Sequence, residues 1–483
     1  MRFGIVTYYA YRPHVEHMAF LAKQLTTAGH EVFYLTCDAS FTVCNKNISS
    51  RSNLRRKINC LVCQNLGLRS YDFGHVETLK YAPVGMPDKN AQSAIERAVK
   101  SSLISELRIN FHFERVINHP KYNALLSASY HQFERMSQQL LELKIDKLVV
   151  FNGRVDFTAA AIAAAKAVQI PFYTVERSWL GYGLNVTHNG VPLDLAGYRE
   201  VLSECKNKQL SENQQNLATN TLTRRFTKNS LGEFKQFNLQ NNDRPAIKGS
   251  LLYCPSSIFE RALHPDWEPY FYDEYEILDQ IRMHLNLKPE DVIIRAHPQW
   301  RIYGKDLENF HQTQAVKHGF NFISSDDQTD TSLLIDASSC VIVNGSSTAF
   351  EAGFKGKIVL NISPTFYDVG EFCQNIIDYS TVPNIRLDID KNYIQELTLR
   401  AWYNLNFKRM SFTDYVIPRS GYDYLYSDIP PEKINTIFVN DSAYLNKITD
   451  FDVYNSFDKD ASLFAMKRKA LFFHWEILDR WTR

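Results

Sequence analysis

A run of small and hydroxyl-bearing residues follows the apolar stretch Val341–Val343 and precedes a helical pattern. In order, its members are Asn344, Gly345, Ser346, Ser347 and Thr348. Free backbone N–H groups at the start of a helix bind anions, and the hydroxyl groups would add further donors. Gly345 has no Cβ, so a phosphate could approach the backbone closely there. The pattern predicts a phosphate-binding turn with Glu351 in the first helical turn. Because Thr348 and Glu351 also match a capping box, a structural role stays open.

A second candidate for phosphate binding, Arg295-Ala296-His297-Pro298, stands where the apolar stretch Asp291–Ala296 ends. The guanidinium of Arg295 and the imidazole of His297 are donors suited to phosphate oxygens. In a doubly wound sheet, ligands bind beyond the carboxyl ends of the strands. Because both candidates follow strands of the C-terminal half, we expect them to line one donor-nucleotide site. A histidine packed in a turn before Pro298 is the structural alternative.

Three acidic residues of the N-terminal half follow predicted strands, where a general base for an acceptor hydroxyl would stand. They are Glu176, Asp156 and Asp38. A general base must lie within hydrogen-bond reach of the proton that it removes. Position alone ranks Glu176 first, because it directly follows the strand Pro171–Val175, and it places Asp156 and Asp38 behind. A helix cap or a salt bridge is the alternative for each of them.

Four more polar residues of the N-terminal half are candidates for binding the acceptor. His14 and His17 lie on the loop and the first helical turn after the first strand, whereas Asn152 and Arg154 belong to a loop at another strand end. Arg154 is suited to an anionic acceptor or to an ion pair with an acid. One of the two histidines has the alternative of being a surface residue at the helix start.

Four of the eight cysteines fall within one short stretch, at Cys37, Cys44, Cys60 and Cys63. Cys60 and Cys63 have the C-x2-C spacing of half a zinc site, and four thiolates commonly hold a structural zinc. The gap between Cys37 and Cys44 is unusually long for the other half. We predict a structural zinc here, with four ordinary cysteines as the alternative.

The elements that must position these residues alternate between strands and helices. Phe3–Thr7 and Glu31–Thr36 are apolar runs typical of buried strands, and Val15–Thr27 has the apolar face of a helix. A strand–helix–strand unit of this kind predicts a doubly wound α/β domain. A second series of the same kind begins near Ser250. The sequence therefore predicts an α/β protein with two Rossmann-like domains.

Composition divides the chain into four parts. Residues 1–205 are predicted to form the acceptor domain, and 206–245, rich in Asn, Gln, Lys and Thr, a polar helix and linker. Residues 246–440 are predicted to form the nucleotide-donor domain, and 441–483 a helical tail. An aromatic helix over Leu463–Trp481 is expected to pack back on the first domain. Its basic residues make an anionic membrane surface the alternative partner.

The composition and net charge of the chain limit the functional classes to which it can belong. Its 483 residues include 54 Lys and Arg against 53 Asp and Glu, so the net charge is only +1. This balance lacks the basic excess of a general nucleic-acid binder. We find no signal-peptide pattern at the N-terminus and no apolar stretch of the roughly 18 residues that span a bilayer. We expect a cytoplasmic protein, with peripheral contact to the inner membrane or to a polysaccharide assembly complex as a further expectation.

Two short motifs resemble known enzymes. His297-Pro298 and Ser346-Ser347 resemble the His-Pro and Ser-Ser motifs of bacterial sialyltransferases that use CMP-activated sugars. The stretch Asn344–Lys357 also resembles capsule-biosynthesis proteins of the Kdo-transferase kind, and it is similar to teichoic-acid glycerophosphotransferases that use CDP-glycerol. The resemblance covers residues 250–362, and the first domain only in general layout. It implies the GT-B fold, in which two Rossmann-like domains face a cleft and the C-terminal one holds the donor nucleotide.

This resemblance also implies an activity. It predicts an inverting glycosyltransferase of bacterial capsule or lipopolysaccharide synthesis, with a glycan or glycolipid acceptor and a CMP-linked acid sugar preferred over a UDP-sugar as donor. It implies no metal for catalysis. Sialyltransferase-like members use an acidic base within an Asp/Glu-Asp/Glu-Gly motif, which the first domain lacks, so the choice of Glu176 rests on position. A CDP-glycerol-type glycerophosphotransferase and a nucleotide-sugar epimerase or hydrolase of the same fold are the alternatives.

Overall fold

The chain forms two compact units. The computed structural model describes residues 1–78, 87–107, 113–178, 181–226, 250–256, 259, 261–298, 300, 305–420 and 422–440. The first unit consists of Met1–Pro192 together with the chain from Met410 onward, and the second unit is Leu193–Arg409. Each unit is built around its own six-stranded sheet.

The sheet of the first unit is parallel except at one edge. Its strands are β1 (Arg2–Val6), β2 (Glu31–Thr36), β3 (His75–Thr78), β4 (Lys147–Phe151), β5 (Phe172–Arg177) and β6 (Leu184–His188). They lie in the order β3-β2-β1-β4-β5-β6, and only β6 runs antiparallel to its neighbour. This order is that of dinucleotide-binding Rossmann folds, whose ligands bind where the strand order reverses, here between β1 and β4.

Helices connect the strands of the first unit. They are α1 (His14–Thr27), α2 (Asn53–Leu66), α3 (Lys89–Leu107), α4 (Phe113–Ile117), α5 (Tyr122–Glu142) and α6 (Asp156–Ala167). The helix expected after β1 is confirmed, and it ends before Gly29, whose φ of +86° suits a glycine. In α6, small buried side chains such as Ala160 and Ala164 allow neighbouring elements to approach closely.

The second unit repeats the same topology with every strand parallel. Its elements are α7 (Ala196–Glu204), α8 (Glu212–Phe226), β7 (Leu251–Cys254), α9 (Glu274–His284), β8 (Val292–Arg295), α10 (Lys305–His318), β9 (Asn321–Ile323), α11 (Thr331–Ala337), β10 (Cys340–Val343), α12 (Thr348–Phe354), β11 (Ile358–Asn361), β12 (Gln374–Asn375) and α13 (Lys391–Tyr403). The strand order is β12-β11-β10-β7-β8-β9, so the reversal lies between β7 and β10. The predicted pair of doubly wound α/β domains is confirmed.

The division between the units differs from the one expected at residues 206 and 246. Helix α8, expected in a linker, belongs to the second unit. It buries Ala218 and Leu222, and Thr221 between them accepts a hydrogen bond of 2.9 Å from Nε1 of Trp402 on α13. Because α8 is polar overall, its few buried residues did not identify it from sequence as part of the second domain.

The chain returns to the first unit after Arg409. There it forms β13 (Val416–Ser420), β14 (Asp423–Tyr426) and α14 (Pro431–Phe438). In α14, Ile434 and Phe438 join the first unit's core, and the Phe438 ring lies 4.9 Å from that of Tyr173. Residues 410–440 were expected in the second domain. The helix expected over Leu463–Trp481 lies outside the described residues.

Among the described helices, none has both the length and the apolar character needed to cross a membrane.

Candidate functional site

In the second unit, Asn344 joins the ends of the two strands at which the strand order reverses. Its Oδ1 accepts a hydrogen bond of 2.6 Å from the Ser256 backbone N–H, which follows β7. Its Nδ2 donates to Oε1 of Glu274 over 2.6 Å, and Oε2 of the same carboxylate accepts from the Tyr253 hydroxyl. The loops after β7 and β10 are thus held together by buried polar contacts.

Arg261 lies directly against the glycine of the predicted phosphate-binding turn. Gly345 has a φ of +84°, and a Cβ added to it would lie 2.2 Å from Nη1 of Arg261. The Nη2 atom of Arg261 donates to the backbone carbonyl of Asn344, and its Cζ lies 5.0 Å from the centre of the Trp267 ring. Sequence reasoning missed Arg261, although it follows β7 as the chosen candidates follow β8 and β10.

Arg261 is partly buried, and no carboxylate among the described residues forms a salt bridge with it. Its Nη1 atom is inaccessible to solvent and has no hydrogen-bond partner within the part of the chain that the structure describes. Burial lowers the pKa of Arg261, while the nearby Glu274 and two tyrosines act in the opposite direction. An arginine nevertheless keeps its charge at any physiological pH. Because a buried charge is costly unless it is paired, a cation in this position is suited to an anionic ligand.

The turn after β10 is fixed by its own contacts. The Tyr367 hydroxyl donates to the Ser346 carbonyl over 2.7 Å, and Ser346 Oγ accepts from the Thr348 backbone N–H over 3.3 Å. Ser347 is the N-cap residue and makes no side-chain capping bond. Glu351 is buried within the short helix α12. The capping-box alternative is therefore wrong, because the helix begins at Thr348, one residue earlier than a pattern with Thr348 as the N-cap requires.

Arg295 does not face the turn as expected. Its Nη1 donates to the Ser324 carbonyl over 2.5 Å, and its Nη2 donates to the carbonyls of Asp327 and Thr329 over 3.1 and 3.3 Å. The side chain is only 6% exposed. Arg295 thus fastens the loop between β9 and α11 through its two terminal nitrogens, while its buried Nε has no hydrogen-bond partner among the described residues. The geometry does not support the prediction that it binds phosphate.

His297 and Pro298 follow β8, one strand away from the strand-order reversal. Burial lowers the pKa of His297 to about 4, so its imidazole is neutral near pH 7. A neutral imidazole can donate one hydrogen bond to a phosphate but brings no charge. Pro298 is exposed. Arg295 and His297 were both predicted to contact phosphate, but Arg295 is bound to backbone carbonyls and His297 is neutral, so Arg261 is the cation beside the turn.

In the first unit, three separately predicted residues meet beside the reversal between β1 and β4. Glu176, near the end of β5, accepts a hydrogen bond of 2.6 Å at Oε2 from Asn152 Nδ2. Its Oε1 lies 3.2 Å from Nδ1 of His14, the first residue of α1. Asn152 and Gly153 have positive φ angles of 59° and 79°, which turn the chain sharply after β4. A base candidate and two acceptor candidates thus form one polar group.

His17 and Arg154, also predicted to bind the acceptor, are engaged elsewhere. His17 is 1% exposed, and its Nδ1 lies 2.9 Å from the Tyr426 hydroxyl. Burial lowers the pKa of His17 well below its ordinary value. Arg154 donates from Nη1 to Ser101 and Ser105 of α3 over 2.8 and 2.9 Å. His17 is therefore a core residue, and Arg154 links β4 to α3.

Asp156 connects the segments that contain Tyr9 and Asn45. It is fully buried and accepts hydrogen bonds from the Tyr9 hydroxyl and, over 2.6 Å, from the Asn45 backbone N–H. Burial raises the pKa of Asp156 to about 6, against these hydrogen bonds. A carboxylate with both oxygens occupied inside the protein is poorly placed to remove a proton from an acceptor.

Asp38 is held by Arg135. The Arg135 guanidinium lies 3.3 Å from its carboxylate, and Ser40 donates to it from Oγ over 2.6 Å. Although partial burial opposes ionisation, the contacts with Ser40 and Arg135 lower the pKa of Asp38. The salt-bridge alternative thus describes Asp38 better than a role as base.

The four clustered cysteines line one pocket at the ends of β1 and β2. All eight cysteines of the chain are free thiols. A zinc ion held by four thiolates keeps sulfur atoms about 3.8 Å apart, from Zn–S bonds of about 2.3 Å. No three of the atoms Cys37, Cys44, Cys60 and Cys63 Sγ lie within 4.8 Å of one another. The predicted tetrahedral zinc site is therefore not formed in this structure.

Within the part of the chain that the structure describes, one group of side chains has ligand atoms close enough together to hold a metal ion. It consists of Asp194, His264 and Asp266. His264 Nδ1 accepts from the Asp266 backbone N–H over 3.3 Å, and its Nε2 lies 3.2 Å from Asp194. A neutral imidazole that accepts at Nδ1 carries its proton on Nε2. Hydrogen bonding therefore accounts for this group without a metal.

Comparison with known proteins yields remote structural likenesses. No protein-family model matches the sequence, and no curated protein matches it either. Among solved structures, the β-Kdo 2,7 transferase of KpsC from Thermosulfurimonas dismutans is 16% identical with a TM-score of 0.34, covering 56% of this chain and 80% of that one. The β-Kdo 2,4 transferase of the same protein is 13% identical with a TM-score of 0.35, covering 57% and 80%.

A nucleotide-sugar epimerase is a further structural neighbour with a similarly low TM-score. The UDP-GlcNAc 2-epimerase from Neisseria meningitidis bound to UDP-GlcNAc is 11% identical with a TM-score of 0.30, covering 84% of this chain and 96% of that one. The neighbours thus include both β-Kdo transferases and UDP-GlcNAc 2-epimerases. At such identities and TM-scores they do not assign an activity, and the fold class rests on the two strand orders.

Proposed function

We propose that this protein is an inverting glycosyltransferase of bacterial surface-polysaccharide synthesis that uses a nucleotide-activated sugar. The observation that carries the proposal is Arg261, whose buried Nη1 atom has no hydrogen-bond partner among the described residues and lies beside Gly345, where the strand order of the second unit reverses. Nucleotide phosphates bind at this position in Rossmann-type sheets. A phosphate there would give Nη1 of Arg261 the acceptor that it lacks.

The second unit would stabilise the departing nucleotide. As the bond between the anomeric carbon and the phosphate oxygen breaks, negative charge grows on that phosphate. Arg261, with the hydroxyls of Ser346 and Ser347, would hold this charge with donors fixed before the reaction, which is how such sites lower a barrier. The contacts of Asn344 with Ser256 and Glu274 keep these donors in place.

The first unit would bind the acceptor and remove its proton. Its polar group of Glu176, His14 and Asn152 lies beside the reversal between β1 and β4. An acceptor hydroxyl that loses its proton there would attack the anomeric carbon in a single displacement, which inverts the configuration. Removal of that proton by a positioned base is worth roughly 10²–10⁴-fold in rate.

The donor class that we propose is a CMP-linked acid sugar. Its support is the likeness of His297-Pro298 and Ser346-Ser347 to the motifs of CMP-dependent sialyltransferases. Transfer of glycerol phosphate from CDP-glycerol would instead identify a glycerophosphotransferase. Formation of an epimer or of free sugar without an acceptor would identify an epimerase or hydrolase.

The test is a panel of CMP-, CDP-, UDP- and GDP-activated donors, scored by thermal shift and then by transfer to glycan acceptors. We expect a CMP-linked donor to raise the melting temperature most. Arg261→Gln should weaken its binding by roughly 10- to 100-fold, because a hydrogen bond to a charged group contributes about 1.5–3 kcal/mol. Arg386→Gln, at an exposed arginine of the same unit, is the matched control. If no donor shifts the melting temperature, or both variants bind alike, the proposal fails.

A further inference from the structure

We infer that the outward face of α2, which carries Leu54, Lys57 and Leu61, docks on an anionic lipid surface. The three residues are exposed on a helix of the first unit. The inference does not depend on the proposed function, because it concerns a surface of this unit and no reaction.

Two leucines give the outward face of α2 its apolar character. Leu54 is 69% exposed and Leu61 is 57% exposed. Because seven residues separate them, they lie two turns apart on the same side of the helix. The opposite side buries Asn59, Val62 and Leu66. A single exposed leucine is ordinary on a protein surface, whereas two aligned on one helix face can enter an apolar phase together.

The chain around these leucines is strongly basic. Residues 39–71 contain six Lys and Arg and no Asp or Glu. Four of the six cations lie at the start of α2, and they are Arg51, Arg55, Arg56 and Lys57. Arg51 and Lys57 are exposed. The outward face of α2 is thus surrounded by a positive charge that is complementary to an anionic surface.

The leucines favour a lipid surface over a nucleic acid as the anionic partner. Lys and Arg bind the phosphates of both. In a bilayer, the apolar side chains of a basic helix also enter the boundary between head groups and acyl chains, where they leave water. The phosphate backbone of a nucleic acid offers Leu54 and Leu61 no such apolar environment. The combination of charge and apolar side chains on one helix face therefore fits an anionic membrane.

Contacts at its start fix α2 to the first unit. Ser52 caps the helix, since its Oγ accepts a hydrogen bond of 3.2 Å from the Arg55 backbone N–H. Just before the cap, Lys121 Nζ donates to the carbonyls of Asn47 and Ser50 over 3.1 and 2.9 Å. The outward face is therefore formed in advance, and docking needs no further ordering of this helix.

Docking through α2 would bring the lipid close to the ligand-binding edge of the first sheet. Cys60, Cys63 and Gln64 of α2 line the pocket at the ends of β1 and β2. Ligands of Rossmann-type sheets bind at this edge. The lipid surface and the pocket would be separated by little more than the helix, which is about 10–12 Å across with its side chains.

The test measures co-sedimentation of the full-length protein with vesicles of phosphatidylcholine, either alone or mixed with phosphatidylglycerol. We expect binding to the mixed vesicles only, and its loss at high salt, because salt screens exposed charges. The double variant Arg51→Gln, Lys57→Gln should weaken binding roughly 5- to 30-fold. The double variant Leu54→Ser, Leu61→Ser should weaken it roughly 10-fold, because two apolar side chains no longer leave water. All four positions are exposed, so thermal melting should be unchanged.

The double variant Leu141→Ser, Lys144→Gln is the matched control. Leu141 is 61% exposed near the end of α5, and Lys144 is exposed just beyond that helix. They thus offer the same residue types on the first unit, but the acidic Glu142 stands between them. This variant should bind the mixed vesicles as the wild type does.

Loss of binding in both α2 variants, with the control unaffected, supports the inference. If the wild type binds neither kind of vesicle, the inference is wrong. It is also wrong if both α2 variants bind like the wild type, because lipid then binds elsewhere on the chain. If only one of the two variants loses binding, the face does not act through charge and apolar contact together, and the inference is overturned. None of these results involves glycosyl transfer, so the proposed function is judged separately.

Discussion

The terminal nitrogen Nη1 of Arg261 occupies the space beside Gly345 that any larger residue would need, only 2.2 Å from where a Cβ would stand. The absence of a side chain at position 345 therefore makes room for the guanidinium of Arg261, whereas the sequence predicted that it makes room for a phosphate. The cation and the turn after β10 form one structural unit.

Gly345→Ala should weaken nucleotide binding by displacing Arg261. The new methyl group would meet Nη1, the movable end of a side chain, so we expect the guanidinium to shift and the protein to stay folded. The φ of +84° should add a stability cost of about 1–2 kcal/mol for a non-glycine residue. Isothermal titration with the donor's nucleotide measures the affinity, and urea unfolding measures the stability.

Gly29→Ala is the matched control for that experiment. Gly29 has a φ of +86°, but nothing lies within 4 Å of an added Cβ. Both variants therefore place an alanine at a positive φ, but only Gly345→Ala displaces Arg261. Equal nucleotide affinities in the two variants would contradict a role for Arg261 beside position 345.

Arg295→Met should destabilise the second unit and leave nucleotide affinity nearly unchanged in the folded protein. The reason is that Arg295 donates to three backbone carbonyls of the loop between β9 and α11. Loss of charged hydrogen bonds should lower the free energy of unfolding by about 2–3 kcal/mol. Arg261→Met should give the opposite result, with weaker binding and a smaller stability loss. A stable Arg295→Met protein that no longer binds nucleotide would restore the original phosphate assignment.

The sequence was sufficient to locate β1, β2, β5, β8, β10 and the turn at residues 344–348, because a buried strand leaves a continuous apolar run and its end is marked by small polar residues. It did not predict the edge strands β3 and β6. It could not distinguish Arg295 from Arg261. The direction of Arg295 depends on carbonyls near position 327 that only the folded loop presents. Arg261 lies in an irregular segment between β7 and α9, where no periodicity predicts its side-chain direction.

The polar group in the first unit also could not be assembled from sequence alone. Glu176, His14 and Asn152 were each predicted from strand ends, but their contact joins three elements far apart in sequence. His17 and Asp156 also follow strand ends, but His17 contacts Tyr426 and Asp156 is bound to Tyr9 and Asn45. Helix periodicity places His17 one turn after His14, yet only the returning strand β14, with Tyr426, covers it.

The thiols of Cys37, Cys44 and Cys63 should behave as free, neutral cysteines. Burial raises the pKa of Cys37 to about 11, and it raises those of Cys44 and Cys63 as well. We therefore expect slow alkylation by iodoacetamide in native protein at pH 7.5 and fast alkylation after unfolding. Elemental analysis of protein purified without chelator should find well below one equivalent of zinc. One tightly held equivalent would show that the sulfur atoms move together to bind it.

Asp156 should make the protein less stable as the pH rises from about 4 to 6. Its pKa in the folded protein is raised to about 6 from an ordinary value of 3.8, chiefly by burial. Between these values the folded state binds more protons than the unfolded state, so the contribution is fully present below pH 3.8 and lost as pH passes about 6. The loss is on the order of 3 kcal/mol, since one pKa unit corresponds to about 1.4 kcal/mol. Asp156→Asn cannot ionise, so its stability relative to wild type should improve by that order between pH 4 and 7 in urea unfolding.

Asp38→Asn gives the control with the opposite sign. The pKa of Asp38 is lowered in the folded protein, so its contribution is present at neutral pH and lost as the pH falls through that lowered value. Relative to wild type, Asp38→Asn should therefore be less stable at pH 7 than at acidic pH, whereas Asp156→Asn should show the reverse. Parallel pH curves for the two variants would contradict the buried, doubly hydrogen-bonded state of Asp156. Opposite slopes would support it, because burial without a neighbouring cation raises the pKa of a carboxylate, whereas a salt bridge lowers it.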